Sequence, residues 1–217
     1  PYIVKVTEDG DVLTSRQFKL PFKSNMCAHP KFDPVTGEMY AFSFDAPFLP
    51  PSSIFRVSAD GVKSADIRVP LLDIPLVHDF AITRRFIIFP DHQLVLRPTE
   101  LAKGKMPLTC DFNKISRFCL MPRYGPSAEL AASKAQWFDA PGVNCLHYFN
   151  AWEEGPDEVV LITSVLSPVE RILRIPQNCT SRLTEIRFNT GTGSVKQRIM
   201  SVHYLHLMDN MHCKKSS

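Results

Sequence analysis

The sequence predicts a nearly all-β chain, built either as a propeller or as a sandwich, and three observations carry that reading. Eighteen prolines against nine glycines in 217 residues interrupt every stretch long enough for an extended helix, because an internal proline removes a helix hydrogen bond and clashes with the preceding turn. Apolar runs of strand length recur along the whole chain. Between them lie clusters of Asp, Asn and Gly, the residues that tolerate the positive φ of a tight reversal.

In order, residues 3–6 lead through Glu8-Asp9-Gly10-Asp11 to a second strand beginning at Val12. Asp33-Pro34-Val35-Thr36-Gly37 precedes 39–44, whose pattern predicts a strand buried on one face. Residues 54–57 meet Ala59-Asp60-Gly61, and 67–69 follow. Short apolar strands are predicted at 80–82, 86–89, 94–96 and 159–163. Residues 184–188 run into Asn189-Thr190-Gly191-Thr192-Gly193 and then into 195–199. Only 99–103 and 127–134 read as helix, both short. Four hairpins of similar grammar predict a meander of repeated units.

Composition excludes several classes. Twenty-five Lys and Arg against 22 Asp and Glu give a net charge of +3, too little for a protein held to nucleic-acid phosphates, so no nucleic-acid partner is expected. No apolar run approaches the ~20 residues of a spanning helix. None of the six cysteines forms a Cys-x-x-Cys pair, which argues against a zinc knuckle or redox motif. The nucleophile-elbow, phosphate-loop and His-Glu-x-x-His signatures are absent from the sequence. Gly191-Thr192-Gly193 lacks the third glycine and following helix of a dinucleotide fingerprint and reads as a hairpin turn.

What remains is histidine. His29 lies in Cys27-Ala28-His29-Pro30-Lys31, His78 in Val77-His78-Asp79-Phe80, and His147 in Asn144-Cys145-Leu146-His147-Tyr148-Phe149. Each begins or interrupts a predicted strand, at intervals of 49 and 69 residues. In a propeller, strands lining the channel recur once per blade, so three such imidazoles would converge on one axis. Imidazole suits Fe(II), Cu or Zn, and an all-imidazole site leaves positions open for O₂. On spacing alone, a hydrogen-bonded core histidine remains the commoner outcome for each.

The same segments carry a resemblance. Ala28-His29-Pro30-Lys31 with Asp33-Pro34-Val35-Thr36-Gly37-Glu38, then His78-Asp79-Phe80-Ala81-Ile82-Thr83, then His147 with Asn150-Ala151-Trp152-Glu153-Glu154 resemble the plant carotenoid cleavage dioxygenases in order, spacing and connecting text such as Phe89-Pro90-Asp91. The resemblance covers roughly residues 1–201. It implies about three blades of a seven-bladed β-propeller with short helical insertions and a ferrous ion on the axis. His29, His78 and His147 match three of that family's four iron ligands. It implies oxidative cleavage of a conjugated double bond of a carotenoid or apocarotenoid by O₂, giving two carbonyl products. It further implies a plastid location, in the stroma or against a membrane surface. Leu146, Tyr148 and Phe149 are candidates for the substrate tunnel or the core. Asp79 and Glu153 are candidate outer partners of an imidazole N–H, with ordinary strand-end hydrogen bonds the preferred reading. Leu101, Met106 and Leu108 with Lys103 and Lys105 form a candidate membrane-facing patch or a plain loop.

The departures define the alternatives. The family's fourth histidine, in a Phe-His-Gly-like motif, has no counterpart in the sequence, and its supporting glutamates fall outside it. The chain begins at Pro1, which suggests an internal segment. Residues 202–217, with His203, His206 and His212, leave the family pattern and read as a divergent tail rather than a metal site. Three readings therefore stand: a dioxygenase segment, a truncated inactive relative, and a propeller binding module with structural histidines.

Overall fold

In the computed structural model, residues 2–6, 12–17, 25–44, 51–71, 73–125, 127–172 and 179–204 are described. Tyr2–Val6 (β1) and Val12–Gln17 (β2) form a two-stranded antiparallel sheet; the turn expected at 8–11 lies outside the described residues. Three larger sheets follow. In the first, Asn25–Met26 (β3) and Lys31–Phe32 (β4) both pair with Met39–Phe44 (β5), which is followed by Pro51–Val57 (β6) and Ile67–Arg68 (β7). In the second, Ala81–Ile82 (β8) pairs with Phe86–Asp91 (β9). Leu94–Leu96 (β10), the short helix Pro98–Leu101 (α1) and Leu108–Cys110 (β11) then leave as a separate hairpin. The sheet resumes with Arg117–Pro122 (β12), the helix Ala128–Ser133 (α2) and Gln136–Asp139 (β13). Tyr148–Glu154 (β14), Glu158–Ser167 (β15), Thr180–Asn189 (β16) and Val195–Tyr204 (β17) make the third sheet in simple order.

Each sheet is an antiparallel meander completed before the next begins. A Greek-key sandwich would instead exchange strands between sheets. The chain is thus about three blades of a propeller. The innermost strands β4, β8 and β14 stand at corresponding edges of the three blades, and the β10–β11 insertion accounts for the longer of the two histidine intervals.

Local chemistry explains the turns. Asp33 Oδ1 accepts from Val35 N (2.8 Å) and Thr36 N (3.2 Å), and Asn189 Oδ1 accepts from Gly191 N (3.1 Å) and Thr192 N (2.8 Å). Gly37 N donates to Asp33 O and Gly193 N to Asn189 O, with φ of 70° and 74° at the two glycines. The same Asx-x-x-x-Gly device thus closes β4–β5 and β16–β17, because only glycine holds that φ without strain. Helix α2 starts where Ser127 Oγ accepts from Leu130 N (3.1 Å), an ordinary N-cap. Pro98 opens α1, where its missing N–H costs nothing.

Packing between blades corrects one expectation. Residues 39–43 are all buried rather than alternating. Interior blades are covered on both faces, so period-2 side chains meet apolar partners on either side. Blade 2 shows this directly: Ile87 and Phe89 of β9 with Cys119 and Met121 of β12 face the core shared with blade 1. Ile88, Phe118 and Leu120 face the core shared with blade 3. There Phe118 meets Phe188 edge to face at 5.3 Å between ring centroids. Each such fully buried ring contributes about 1.5–3 kcal/mol through burial. Strands β11 to β13 were not predicted: Gln136–Asp139 is short and amphipathic, and the apolar centre of β12 carries no alternation. β17 runs through Tyr204, with His203 opposite Ser181, so pairing continues past position 201; His206 and His212 lie outside the described residues.

Candidate metal centre

The three motif histidines sit at one end of the three innermost strands: His29 just before β4, His78 just before β8 and His147 just before β14. Pro30 disfavours helical backbone at His29. Thr163 Oγ1 of β15 donates to the carbonyl of His147 at 2.7 Å. The ligand atoms of His29, His78 and His147 all lie within 4.8 Å of one another. The rings are mutually edge-on, with centroids 4.6, 4.8 and 5.1 Å apart and interplanar angles of 63–90°. His29 Nε2 and His78 Nε2 are 2.9 Å apart. Two imidazoles at right angles on one metal with bonds near 2.1 Å would place their nitrogens about 3.0 Å apart, so this separation fits adjacent positions of a single ion. His78 is held below its ordinary pKa, first by desolvation and then by repulsion from His29 and His147. Both causes favour the neutral ring, the form whose nitrogen lone pair binds a metal. His78 and His147 are exposed and His29 is half-buried, so none has the enclosed setting of a structural core histidine.

His92, absent from the sequence-level reading, is that core histidine. It is buried, with Nε2 3.1 Å from the Tyr148 hydroxyl and 3.2 Å from Cys145 Sγ. Burial first, and then the Lys114 charge, lower its pKa to about 3. A histidine depressed in the fold takes up its proton only on unfolding, so its contribution is complete above about pH 6.5 and is lost as pH falls toward 3. Wild-type stability should therefore lose about 1.4 kcal/mol per pH unit more than His92→Gln between pH 6 and pH 4. Equal slopes in urea titrations of the two proteins would refute this.

The remaining named residues fall into place. Tyr148 is buried among Phe118, His92 and Cys145, which makes it a core residue. Leu146 is half-buried, and Phe149 is exposed at a break in the β14–β15 register. Asp79, buried in front of β8, pairs ionically with Lys31 Nζ (2.7 Å) and accepts from Phe80 N (2.8 Å) and Tyr148 N (3.1 Å). Glu153 binds the β8–β9 turn instead, accepting from Thr83 Oγ1 (2.5 Å) and Arg85 N (2.7 Å). Both carboxylates thus make strand-end bonds, but across blades. The role of Lys31 was missed; its place two residues after His29 was the available signal. On the insertion, Leu101 and Met106 are exposed with Lys103 and Lys105, and Leu108 is half-buried. Met106 and Phe112 line an open groove of about 990 Å³ there. No helix among the described residues is long and apolar enough to cross a membrane.

Comparison with known proteins is consistent with this geometry. The family model described as "Retinal pigment epithelial membrane protein" matches residues 6–213. The zeaxanthin 7,8(7',8')-cleavage dioxygenase of Crocus sativus is 37% identical over 210 residues, 94% of this chain and 56% of its own length. The carotenoid 9,10(9',10')-cleavage dioxygenase 1 of Arabidopsis thaliana is 37% identical over 211 residues, 93% of this chain and 38% of its own. The chloroplastic 9-cis-epoxycarotenoid dioxygenase NCED1 of Oryza sativa subsp. japonica is 38% identical over 201 residues, 90% and 31% of the two chains. The chain thus spans about half, or less, of the length of these relatives. Among solved structures, Pseudomonas brassicacearum lignostilbene dioxygenase superposes with a TM-score of 0.70 at 24% identity, over 88% of this chain and 42% of that one. Cobalt-substituted Synechocystis apocarotenoid oxygenase gives 0.67 at 16%, over 90% and 43%. These two share the fold. With a family match over almost its whole length, and relatives named carotenoid cleavage dioxygenases, the chain belongs to the retinal pigment epithelial membrane protein family.

Proposed function

We propose that His29, His78 and His147 are ligands of a non-haem Fe(II) centre in an enzyme that splits a conjugated double bond of a carotenoid or apocarotenoid. The convergence of three imidazoles from three consecutive blades carries this reading. Imidazoles hold the ion without cancelling its charge, and three of them leave coordination positions free. Fe(II), when bound, supplies O₂ activation. The balance is simple: the carbon–carbon double bond and the O–O bond break, each carbon gains one oxygen, and two carbonyl products form with no further reductant.

The chain's own residues fix the donor atoms and shape the approach. Exposed Phe149 and half-buried Leu146 flank His147 and present apolar surface to a polyene, while Tyr148 points into the core behind them. A carotenoid is held in lipid. The insertion that exposes Leu101 and Met106 beside Lys103 and Lys105 suits peripheral docking at a plastid membrane surface, apolar side chains inward and ammonium groups at the headgroups. The names of the Crocus and rice relatives, chromoplastic and chloroplastic, support the plastid.

The test is product analysis with isotopically labelled O₂. The intact protein, supplied with Fe(II) and C40 carotenoids or apocarotenoids in micelles, should give paired carbonyl products each carrying one labelled oxygen. An iron chelator should stop the reaction and added Fe(II) restore it. Turnover indifferent to the chelator, or absent with every polyene tried, would defeat the proposal.

A further inference from the structure

We propose that Asp79 is a positioning residue for all three histidines, a single buried carboxylate that sets the geometry of a cluster assembled from three blades. The inference rests on the metal reading above. Asp79 is 3% exposed, and a buried carboxylate is tolerated only when its charge and lone pairs are met. Every partner it uses belongs to a histidine-bearing segment. Oδ1 forms an ion pair with Lys31 Nζ (2.7 Å), two residues beyond His29 on blade 1. The same oxygen accepts from Phe80 N (2.8 Å), fixing the turn that follows His78 on blade 2. Oδ2 accepts from Tyr148 N (3.1 Å), the residue immediately after His147 on blade 3.

The histidines are 49 and 69 residues apart, and at their end of the blades the hydrophobic packing alone allows small sliding. Directional, charge-assisted bonds do not. A shift of one blade that left its hydrophobic contacts intact would still break a bond to Asp79. The group therefore converts approximate proximity of three imidazoles into a defined separation. Lys31 neutralises the carboxylate, so its main effect on a cation is geometric.

Glu153 provides the control. It also joins blades 2 and 3 through a well-buried carboxylate, but six residues along β14 from His147, roughly 20 Å away at strand rise. The experiment is Co(II) titration of the intact protein, read by chelator competition and by the visible d–d bands of the bound ion. Asp79→Asn and Asp79→Ala should each weaken Co(II) binding by about 10–100-fold, the usual effect of losing a partner outside the ligand set, and should shift the bands. Glu153→Gln should lower the denaturation midpoint while leaving affinity and bands as in wild type. Should Asp79→Ala not fold, Asp79→Asn carries the test, because its amide keeps the volume and one acceptor oxygen. Wild-type affinity and bands in the Asp79 variants would overturn the proposal, as would equal weakening by Glu153→Gln. Failure of the metal reading itself would look different: His147→Ala would then bind Co(II) as wild type does.

Discussion

Replacing His29, His78 or His147 by Ala, one at a time in the intact protein, is expected to abolish iron retention and turnover together. Loss of a partner outside the ligand set alone costs about 10–100-fold in metal affinity, and removal of a direct Fe–N bond exceeds that, so desalted variants should carry less than about one-tenth of the wild-type iron. The ligand atoms lie within 4.8 Å of one another, and no other group of three or more His, Cys, Asp or Glu among the described residues forms such a cluster. There is thus no substitute donor set nearby. Folding should be little affected, because His78 and His147 are exposed and their loss leaves no cavity. His92→Gln is the matching control: it should retain iron while changing stability. Wild-type iron content in any of the three alanine variants would remove that residue from the site.

Arg123→Met is expected to be the most damaging single change away from the histidines, lowering stability by about 3–5 kcal/mol, the range for breaking a buried ion pair from one side. The Arg123 side chain is 2% exposed. It donates to Asp33 Oδ2 (2.6 Å) and to the carbonyl of Thr83 (2.7 Å), and reaches Glu38 Oε2 at 3.4 Å. It thus locks the β4–β5 turn of blade 1 to the β8–β9 turn of blade 2. Methionine fills much of the volume but strands two largely buried carboxylates. The pH dependence follows in sign. Burial pushes Asp33 and Glu38 upward, but the Arg123 bond to Asp33 and the Tyr124 bond and Arg56 charge on Glu38 outweigh it, so both titrate below their ordinary values. A depressed carboxylate stabilises above its unfolded pKa and loses that contribution as pH falls through the folded one. The wild type should therefore lose stability below about pH 4.5, and the Arg123→Met difference should shrink there. A loss under 1 kcal/mol at pH 7 in guanidinium titrations would show that Arg56 and Tyr124 suffice for Glu38, and the Val35 and Thr36 amides for Asp33.

Reversals and caps were determined locally. Asp33 with Gly37, Asn189 with Gly193, and Ser127 ahead of α2 each satisfy backbone groups within a few residues, so the same residues would act alike in a peptide. Strand positions were legible where a short apolar run such as 86–89, or an alternation such as 184–188, lacks helix periodicity and ends at turn residues. The three histidines stood out by motif.

Other features depend on groups far apart in sequence. Burial of residues 39–43 on both faces needs a neighbouring blade, and no pattern within β5 reveals what covers its second face. β12 and β13 lacked local signal because β12 is held between β9 and β13, β13 pairs only with β12, and the adjoining blades supply the rest of the packing. His92 and His78 both stand next to an aspartate in the sequence, yet one is enclosed with Tyr148 and Cys145 while the other faces two imidazoles. Asp79 reads as an ordinary strand-end acid until β4 and β14 are brought against it. Local composition specifies which backbone shapes are cheap; the order of blades around the axis, a sum of non-local packing and buried charge, decides which side chains meet.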